Sequence, residues 1–285
     1  MTTAIPKKRK DNRSLLAKYA AAPHIVWAVL FIIAPLIFVA YYAFTDTAGA
    51  FSLSNIAEFF SPTYLKIFLR SVKLALISTF ICLLLGYPIA YFISRSKPKT
   101  QRLLILLLML PMWMNFLIRT YAIMVLIQDT GIINSLLGGL GIAPMQILGT
   151  EAAVVLGMVY DYLPYMILPI YSVMAKLDYR LVEAASDLGC NGFGVLRKVI
   201  LPLSISGVIS GITMVFVPSI STFYISQKLG GPDTLLIGDI IEQRYASSNY
   251  NMAAALSFVL MLILIIGLAI VNKYTDVDEG GGMMP

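Results

Sequence analysis

Six continuous apolar runs divide the chain, at roughly 24–45, 72–94, 102–127, 152–175, 203–226 and 252–271. Each holds about the 20 apolar residues that a helix needs to cross a hydrocarbon core. Within the runs apolar and polar positions do not alternate, so they predict helices and not the strands of a barrel. The expected fold is all-α integral membrane, with six transmembrane helices. The first run follows a basic arm, as the apolar stretch of a secretory signal does. It is long for that role, at roughly 22 residues, and it ends in Phe44-Thr45-Asp46, which offers no small-residue cleavage site. It is expected to remain as a span.

Composition agrees. Hydrophobic residues make up 59% of the 285 positions and charged residues 13%, about half the charged share of a soluble domain. The net charge of +6 reflects short basic stretches between the runs, so it reports topology and does not call for nucleic acid. Fifteen Lys and Arg fall in the arm before the first run, in the 95–102 and 176–198 loops and at Lys273, against five (Lys66, Arg70, Lys73, Lys228, Arg244) in the other loops. The positive-inside rule then places both termini in the cytoplasm. The division is a cytoplasmic arm at 1–23, a six-span domain at 24–272 with a long inner loop near 177–202, and a cytoplasmic tail at 273–285. The tail from Asp276 to Pro285 is acidic and glycine-rich and is expected to be disordered.

Little in the chain points to catalysis. Cys82 and Cys190 form no disulfide framework and suit small packing residues. The single His24 excludes an H-E-x-x-H metalloprotease and makes a poor metal site. No G-x-x-x-x-G-K-[ST] occurs, so the chain lacks a phosphate-cradling loop of its own.

The loop between the fourth and fifth runs carries the most specific pattern. It reads Glu183-Ala184-Ala185, then Gly189, then Leu201-Pro202 with Val199 two positions before Leu201. This resembles the EAA loop of ABC-importer permeases, E-A-A-x-x-x-G followed by I-x-L-P, with Val199 in place of Ile. Small Ala184 and Ala185 let a helix lie close in a partner's groove. Gly189 permits a tight turn after that helix, and Asp178 can cap its start.

Further segments extend the resemblance over about residues 25–270, to the PotB-like family of spermidine/putrescine permeases. They are Leu85-Gly-Tyr-Pro-Ile-Ala90, Pro111-Met-Trp113-Met-Asn115-Phe-Leu-Ile-Arg119-Thr-Tyr121, Val159-Tyr-Asp-Tyr-Leu-Pro164 with Leu168-Pro-Ile-Tyr171, and Leu235-Leu-Ile-Gly238. The resemblance implies the MetI-like fold of type I ABC importers and a multi-pass subunit in the plasma (inner) membrane of a bacterium. It implies transport and not catalysis, with Glu183, Ala184, Ala185, Gly189, Leu201 and Pro202 as the ATPase-coupling loop. The implied partners are PotA-like ATPase subunits that bind ATP and Mg, a PotC-like second permease and a PotD-like external binding protein. Related permeases for iron, opines or sulfate share parts of these segments. An ion-coupled secondary carrier is the reading from another class, but the paired, interrupted halves usual in such carriers are not visible.

Residues for a passage can be nominated from polarity at membrane depth. Pro88, Pro111, Pro164, Pro169 and Pro218 interrupt helical hydrogen bonding within the spans, as either packing or cavity-lining features. Gly207 and Gly211, four apart, suit close helix packing. Arg119 and Asp161 lie ~12 and ~14 Å from the outer ends of their spans at 1.5 Å per residue. At that depth a charge costs about 2.5–3.5 kcal/mol and usually faces the bundle interior or water. Asp161 either attracts an ammonium group of a cationic substrate or pairs with Arg119. Its aromatic neighbours weigh toward the first. Tyr165, one turn from Asp161, and Trp113, Tyr121, Tyr160, Tyr162, Phe223 and Tyr224 are candidate cation–π partners for such a substrate. The outer loops carry seven acids against five bases, which suits a cation.

Overall fold

The computed structural model describes residues 23–280. The basic arm up to residue 22 and the last five residues of the tail lie outside the described residues. Thirteen helices are described: α1 (Pro23–Ala43), α2 (Ser54–Phe59), α3 (Pro62–Arg95), α4 (Pro98–Trp113), α5 (Phe116–Ile127), α6 (Ile132–Gly139), α7 (Glu151–Met174), α8 (Tyr179–Asp187), α9 (Gly192–Leu203), α10 (Ile205–Ser221), α11 (Tyr224–Leu229), α12 (Ile237–Ala246) and α13 (Tyr250–Gly280). No β-strand occurs among the described residues; two isolated bridges, Thr45 with Phe51 and Gly149 with Gly230, close loops.

Five segments are long and apolar enough to cross a membrane: Pro23–Ala43, Pro62–Arg95, Phe116–Gly139, Glu151–Met174 and Tyr250–Val271. A sixth forms when α9 and α10 are taken together across their 69° bend. Two spans are interrupted where the sequence reading has them continuous. The apolar run at 102–127 is divided at Met114–Asn115, and the segment of spanning length starts at Phe116. Pro111 lacks the N–H of its place in the ladder, and the Asn115 side chain accepts from Leu117 N at 2.8 Å, so a fresh helix is capped there. The fifth run is cut at both ends. Ser204 leaves helical geometry after Pro202, and α10 stops at Ser221, short of the expected end at 226. The Ser204 hydroxyl bonds to the Leu201 carbonyl at 3.2 Å and to the Tyr87 hydroxyl of α3 at 3.0 Å, which fixes the bend against the bundle. At the other end of the chain, α13 continues to Gly280, beyond the point at Asp276 where composition predicts a disordered tail. Extending an existing helix needs only one hydrogen bond per residue, without a new nucleus.

The bundle is built around α7. More than half of its apolar window is buried, whereas none of α1's is. Met158, Met166, Ile167 and Ile170 of α7 are fully covered by α3 and α10. Two glycines of α10 set how closely it approaches. A Cβ on Gly211 would stand 2.8 Å from Met166 Sδ and 3.1 Å from its carbonyl oxygen; on Gly207 it would stand 3.0 Å from the Pro169 carbonyl oxygen. Lipid tails are as apolar as the side chains, so packing, and not exclusion from water, holds membrane helices together. Pro88, Pro164 and Pro169 all lie in helices that continue past them.

Polar contacts close the end of the bundle at which α7 begins. Glu151 at the start of α7 receives Lys73 Nζ at 2.6 Å and Arg70 Nε at 3.7 Å, both from α3. Arg70 also donates to the Asp233 carbonyl, and Ser71 Oγ accepts from Ile237 N at 2.8 Å. The Asn251 amide of α13 donates to the carbonyls of Thr45 (2.9 Å) and Asp46 (3.2 Å), pinning α1 to α13.

The seam between α10 and α7 predicts an asymmetry. Gly211→Leu forces atoms onto the Met166 backbone and is expected to cost about 1–3 kcal/mol. Gly267→Leu, with no atom within 4 Å of its added Cβ, is expected to change little. Thermal unfolding of the two variants side by side measures this; equal midpoints contradict the seam.

Candidate coupling surface and passage residues

Helix α8 is short and defined at both ends. The Asp178 side chain accepts from Arg180 N at 3.0 Å, capping its first turn. At the other end Gly189 takes φ +83°, which glycine alone adopts without strain. Gly189 N donates to Ser186 O at 2.9 Å and Cys190 N to Ala185 O at 3.1 Å, the paired bonds of a Schellman turn. The Asn191 side chain then accepts from Gly194 N at 2.8 Å and starts α9. The loop is thus a helix, a fixed turn and a second helix.

Its two faces differ. Val182 and Ala185 pack toward the bundle core. Leu181, Ala184 and Leu188 recur at helical spacing on the outside, with Leu188 86% and nearby Phe193 71% exposed. Glu183 is exposed beside them. Leu201 and Pro202 are exposed where α9 bends into α10. Such a face, apolar at the centre and charged at its edge, is suited to a protein partner.

The passage candidates separate into distinct groups. Arg119 of α5 and Asp161 of α7 come together, with Nε and Oδ1 3.3 Å apart and side chains 6% and 1% exposed. The contact is an ion pair and not an aligned hydrogen bond. Thr120 Oγ1 donates to the other carboxylate oxygen at 3.3 Å. Asp161 therefore faces Arg119 and Thr120 and no open surface. Tyr165, one turn further along α7, is exposed, as is Tyr160, while Tyr162 is buried. Spacing alone put Asp161 and Tyr165 on one face; the cover over Asp161 comes from α5, which spacing within α7 cannot reveal.

The second group is aromatic. Tyr224 of α11 stands 5.9 Å from the Phe116 ring and 6.2 Å from the Tyr121 ring, both of α5. Two cations border these rings. Arg119 lies 5.9 Å from the Phe116 ring, and Lys228 lies 5.4 Å from Tyr121 and 5.7 Å from Tyr224. Trp113 is 70% exposed at the end of α4. Phe223 turns to a separate cavity of about 810 Å³, lined also by Tyr42, Glu242, Tyr245 and Tyr250. Phe116, Thr120 and Lys228 are absent from the passage residues that the sequence nominates. Lys228 follows Tyr224 at i+4 and was legible as a cation–π pair.

Several acids of the loops expected to face outward are already engaged. Glu151 is paired with Lys73, and Asp46 accepts from Ala48 N and Ala50 N at 2.9 Å each. Asp239 is buried, accepting from Ser226 Oγ at 2.9 Å and Leu236 N at 2.7 Å. Burial pushes its carboxyl up to about 6, although both hydrogen bonds pull it down.

Comparison with known proteins decides the family. Residues 82–276 match the family described as the binding-protein-dependent transport system inner membrane component. The chain belongs to that family. The spermidine/putrescine transport system permease protein PotB of Haemophilus influenzae is 40% identical over 259 residues, which span 87% of this chain and 91% of that protein. A chain of a bacterial ABC transporter involved in the import of the acidic polysaccharide alginate shares the fold, with a TM-score of 0.73 over 95% of this chain and 97% of that one at 16% identity. A chain of the MetNI methionine ABC transporter does so with a TM-score of 0.58 over 75% and 95% at 14% identity. This chain is thus a multi-pass inner-membrane permease of the ABC importer class, and its helical bundle is the one the sequence led us to expect.

The ion pair yields the next prediction. Removing one member of a buried pair strands the other at roughly 3–5 kcal/mol. Asp161→Asn is expected to lower the yield and thermal stability of the permease, and Arg119→Gln added to it to restore much of the loss. An additive loss in the double variant contradicts the pairing.

Proposed function

We propose that the chain is one half of the membrane channel of an ATP-driven polyamine importer. It receives spermidine or putrescine from an external binding protein and passes it to the cytoplasm. The observation that carries this reading is the 40% identity, over nearly the whole length, to a permease named for those substrates. Both termini are cytoplasmic in this reading, following the distribution of Lys and Arg. ATP, with Mg, is bound and hydrolysed by PotA-like partner subunits. A PotC-like permease completes the pair, and a PotD-like protein delivers the substrate.

The coupling step runs through α8. The exposed Leu181, Ala184 and Leu188 seat the helix on the ATPase, with Glu183 at the rim and Phe193, Leu201 and Pro202 on the return path. The fixed turn at Gly189 prevents the push from being absorbed by the loop. Its ends enter α7 on one side and α10 on the other. Tyr121, Tyr224, Tyr160 and Tyr165 supply ring faces along the route; Arg119 and Asp161 hold α5 to α7 beside it. Polyamines suit such a route because ring faces attract ammonium groups by about 0.5–2 kcal/mol each, enough to guide a cation and too little to trap it.

The test is uptake of radiolabelled spermidine and putrescine into proteoliposomes holding the complete complex, with the external binding protein added outside and ATP sealed inside. ATP-dependent accumulation of either is expected, and accumulation of neither rejects the substrate class. In the same assay Gly189→Val is expected to lower uptake and substrate-stimulated ATP hydrolysis at least ~10-fold, the factor set by ~1.4 kcal/mol of lost coupling, in keeping with ~1–2 kcal/mol per residue for forcing a side chain into the left-handed region. The affinity of the binding protein for polyamine is expected to stay unchanged. Normal uptake by an assembled Gly189→Val complex contradicts the coupling role.

A further inference from the structure

We propose that Tyr121 and Tyr224 form a binding subsite for a primary alkylammonium group, and that the ammonium of Lys228 fills this subsite until a substrate ammonium displaces it. The inference rests on the polyamine reading above and names a place where such a substrate is recognised. Lys228 Nζ stands 5.4 Å from the Tyr121 ring and 5.7 Å from the Tyr224 ring, within the range in which a ring quadrupole holds a cation. Two rings from different helices converge on it, one from α5 and one from α11. Phe116 supports Tyr224 from behind at 5.9 Å.

The two cations of this cluster are held differently. Arg119 has a carboxylate partner in Asp161 at 3.3 Å and is buried. Among the described residues the ion pairs join Glu151 with Arg70 and Lys73, and Arg119 with Asp161; Lys228 takes part in none of them. A cation fixed by a buried carboxylate is part of the frame. Lys228 is held by two ring faces and the Tyr121 hydroxyl, with no carboxylate in an ion pair with it, and such a cation is exchangeable because any other primary ammonium makes the same contacts. Lys228 ends on the same group that a polyamine carries, a protonated primary amine on a flexible methylene stem.

The subsite is reachable. Tyr121 is 42% exposed, and Tyr224 and Lys228 are half-buried. It lies at the outer end of the bundle: α11 is joined to the start of α7 by Gly149 N donating to Leu229 O at 2.8 Å, next to the Gly149–Gly230 bridge. Tyr121 is six residues from the end of α5, or ~9 Å of helix rise. A substrate released from outside meets these rings before it reaches the depth of Arg119. Lys228 then acts as a tethered competitor. It keeps the rings occupied when no substrate is present, and swings aside on its own stem when one arrives.

The experiment is equilibrium binding of radiolabelled spermidine to the complete complex in lipid nanodiscs, without the external binding protein. Lys228→Met removes the competitor and leaves the rings, so spermidine is expected to bind about 2- to 30-fold more tightly, the range set by one cation–π contact. Adding Tyr121→Phe keeps a ring face and is expected to preserve the gain; adding Tyr121→Ala is expected to abolish it. A role for Lys228 in packing alone does not produce a gain that one ring substitution keeps and the other removes. Lys228→Gln carries the same expectation should the Met variant not assemble. Unchanged or weaker binding in an assembled variant overturns the proposal, and so does failure of both variants to assemble, because a displaceable cation is not a structural pin. The polyamine reading fails separately, if the unaltered complex with its binding protein takes up neither spermidine nor putrescine. The subsite fails if uptake occurs and all variants bind alike.

Discussion

The close approach of α10 to α7 is the contact on which the rest of the molecule depends. In hydrocarbon, helices gain little from hiding apolar surface from one another, so a tight, specific seam has to come from shape. Gly207 and Gly211 provide it by bringing α10 against the backbone at Met166 and Pro169. The consequence reaches the loop between α7 and α10. Helix α8 leaves the end of α7, and α9 returns the chain to α10 through the bend at Ser204. Because α7 and α10 are locked together near those ends, a load applied to α8 is delivered to a paired unit and not to two independent helices. Tyr87 extends the unit to α3 through Ser204.

Charge within the bundle follows the same economy. A lone charge at this depth is costly, and Arg119 and Asp161 offset each other. In the proposed route, that leaves the attraction for a passing cation to ring faces, which are weak singly and exchangeable. An anionic passage would hold a polycation; an aromatic one lets it move on. Channels and carriers generally need binding strong enough to enter a site and weak enough to leave it.

The fold was legible because lipid imposes length and continuity on every span, and six apolar runs declare themselves. The shape of the loop after α7 was legible because its chemistry is local: Asp178 caps, Gly189 turns, and both act within a few residues of their own position. The break in the third apolar run was not legible, because hydropathy does not register a cap such as Asn115. Asp161 was read toward a passage because its partners sit on α5, and the cover they provide depends on tertiary packing. Lys228 was counted for topology only, although its i+4 spacing from Tyr224 was in view. Tyr121, which turns that pair into a two-ring site, is about a hundred residues away in the chain.

The central claim is that α8 and α10 move as one body when ATP is bound and hydrolysed. The direct measurement is a pulsed electron–electron distance between spin labels at Ser186 of α8 and Ser210 of α10, both exposed, in the complete complex on a Cys190→Ser background. The account predicts the same narrow distance distribution in the nucleotide-free, ATP-bound and post-hydrolysis states. A shift of several ångströms between those states, or a broad distribution in any of them, contradicts it.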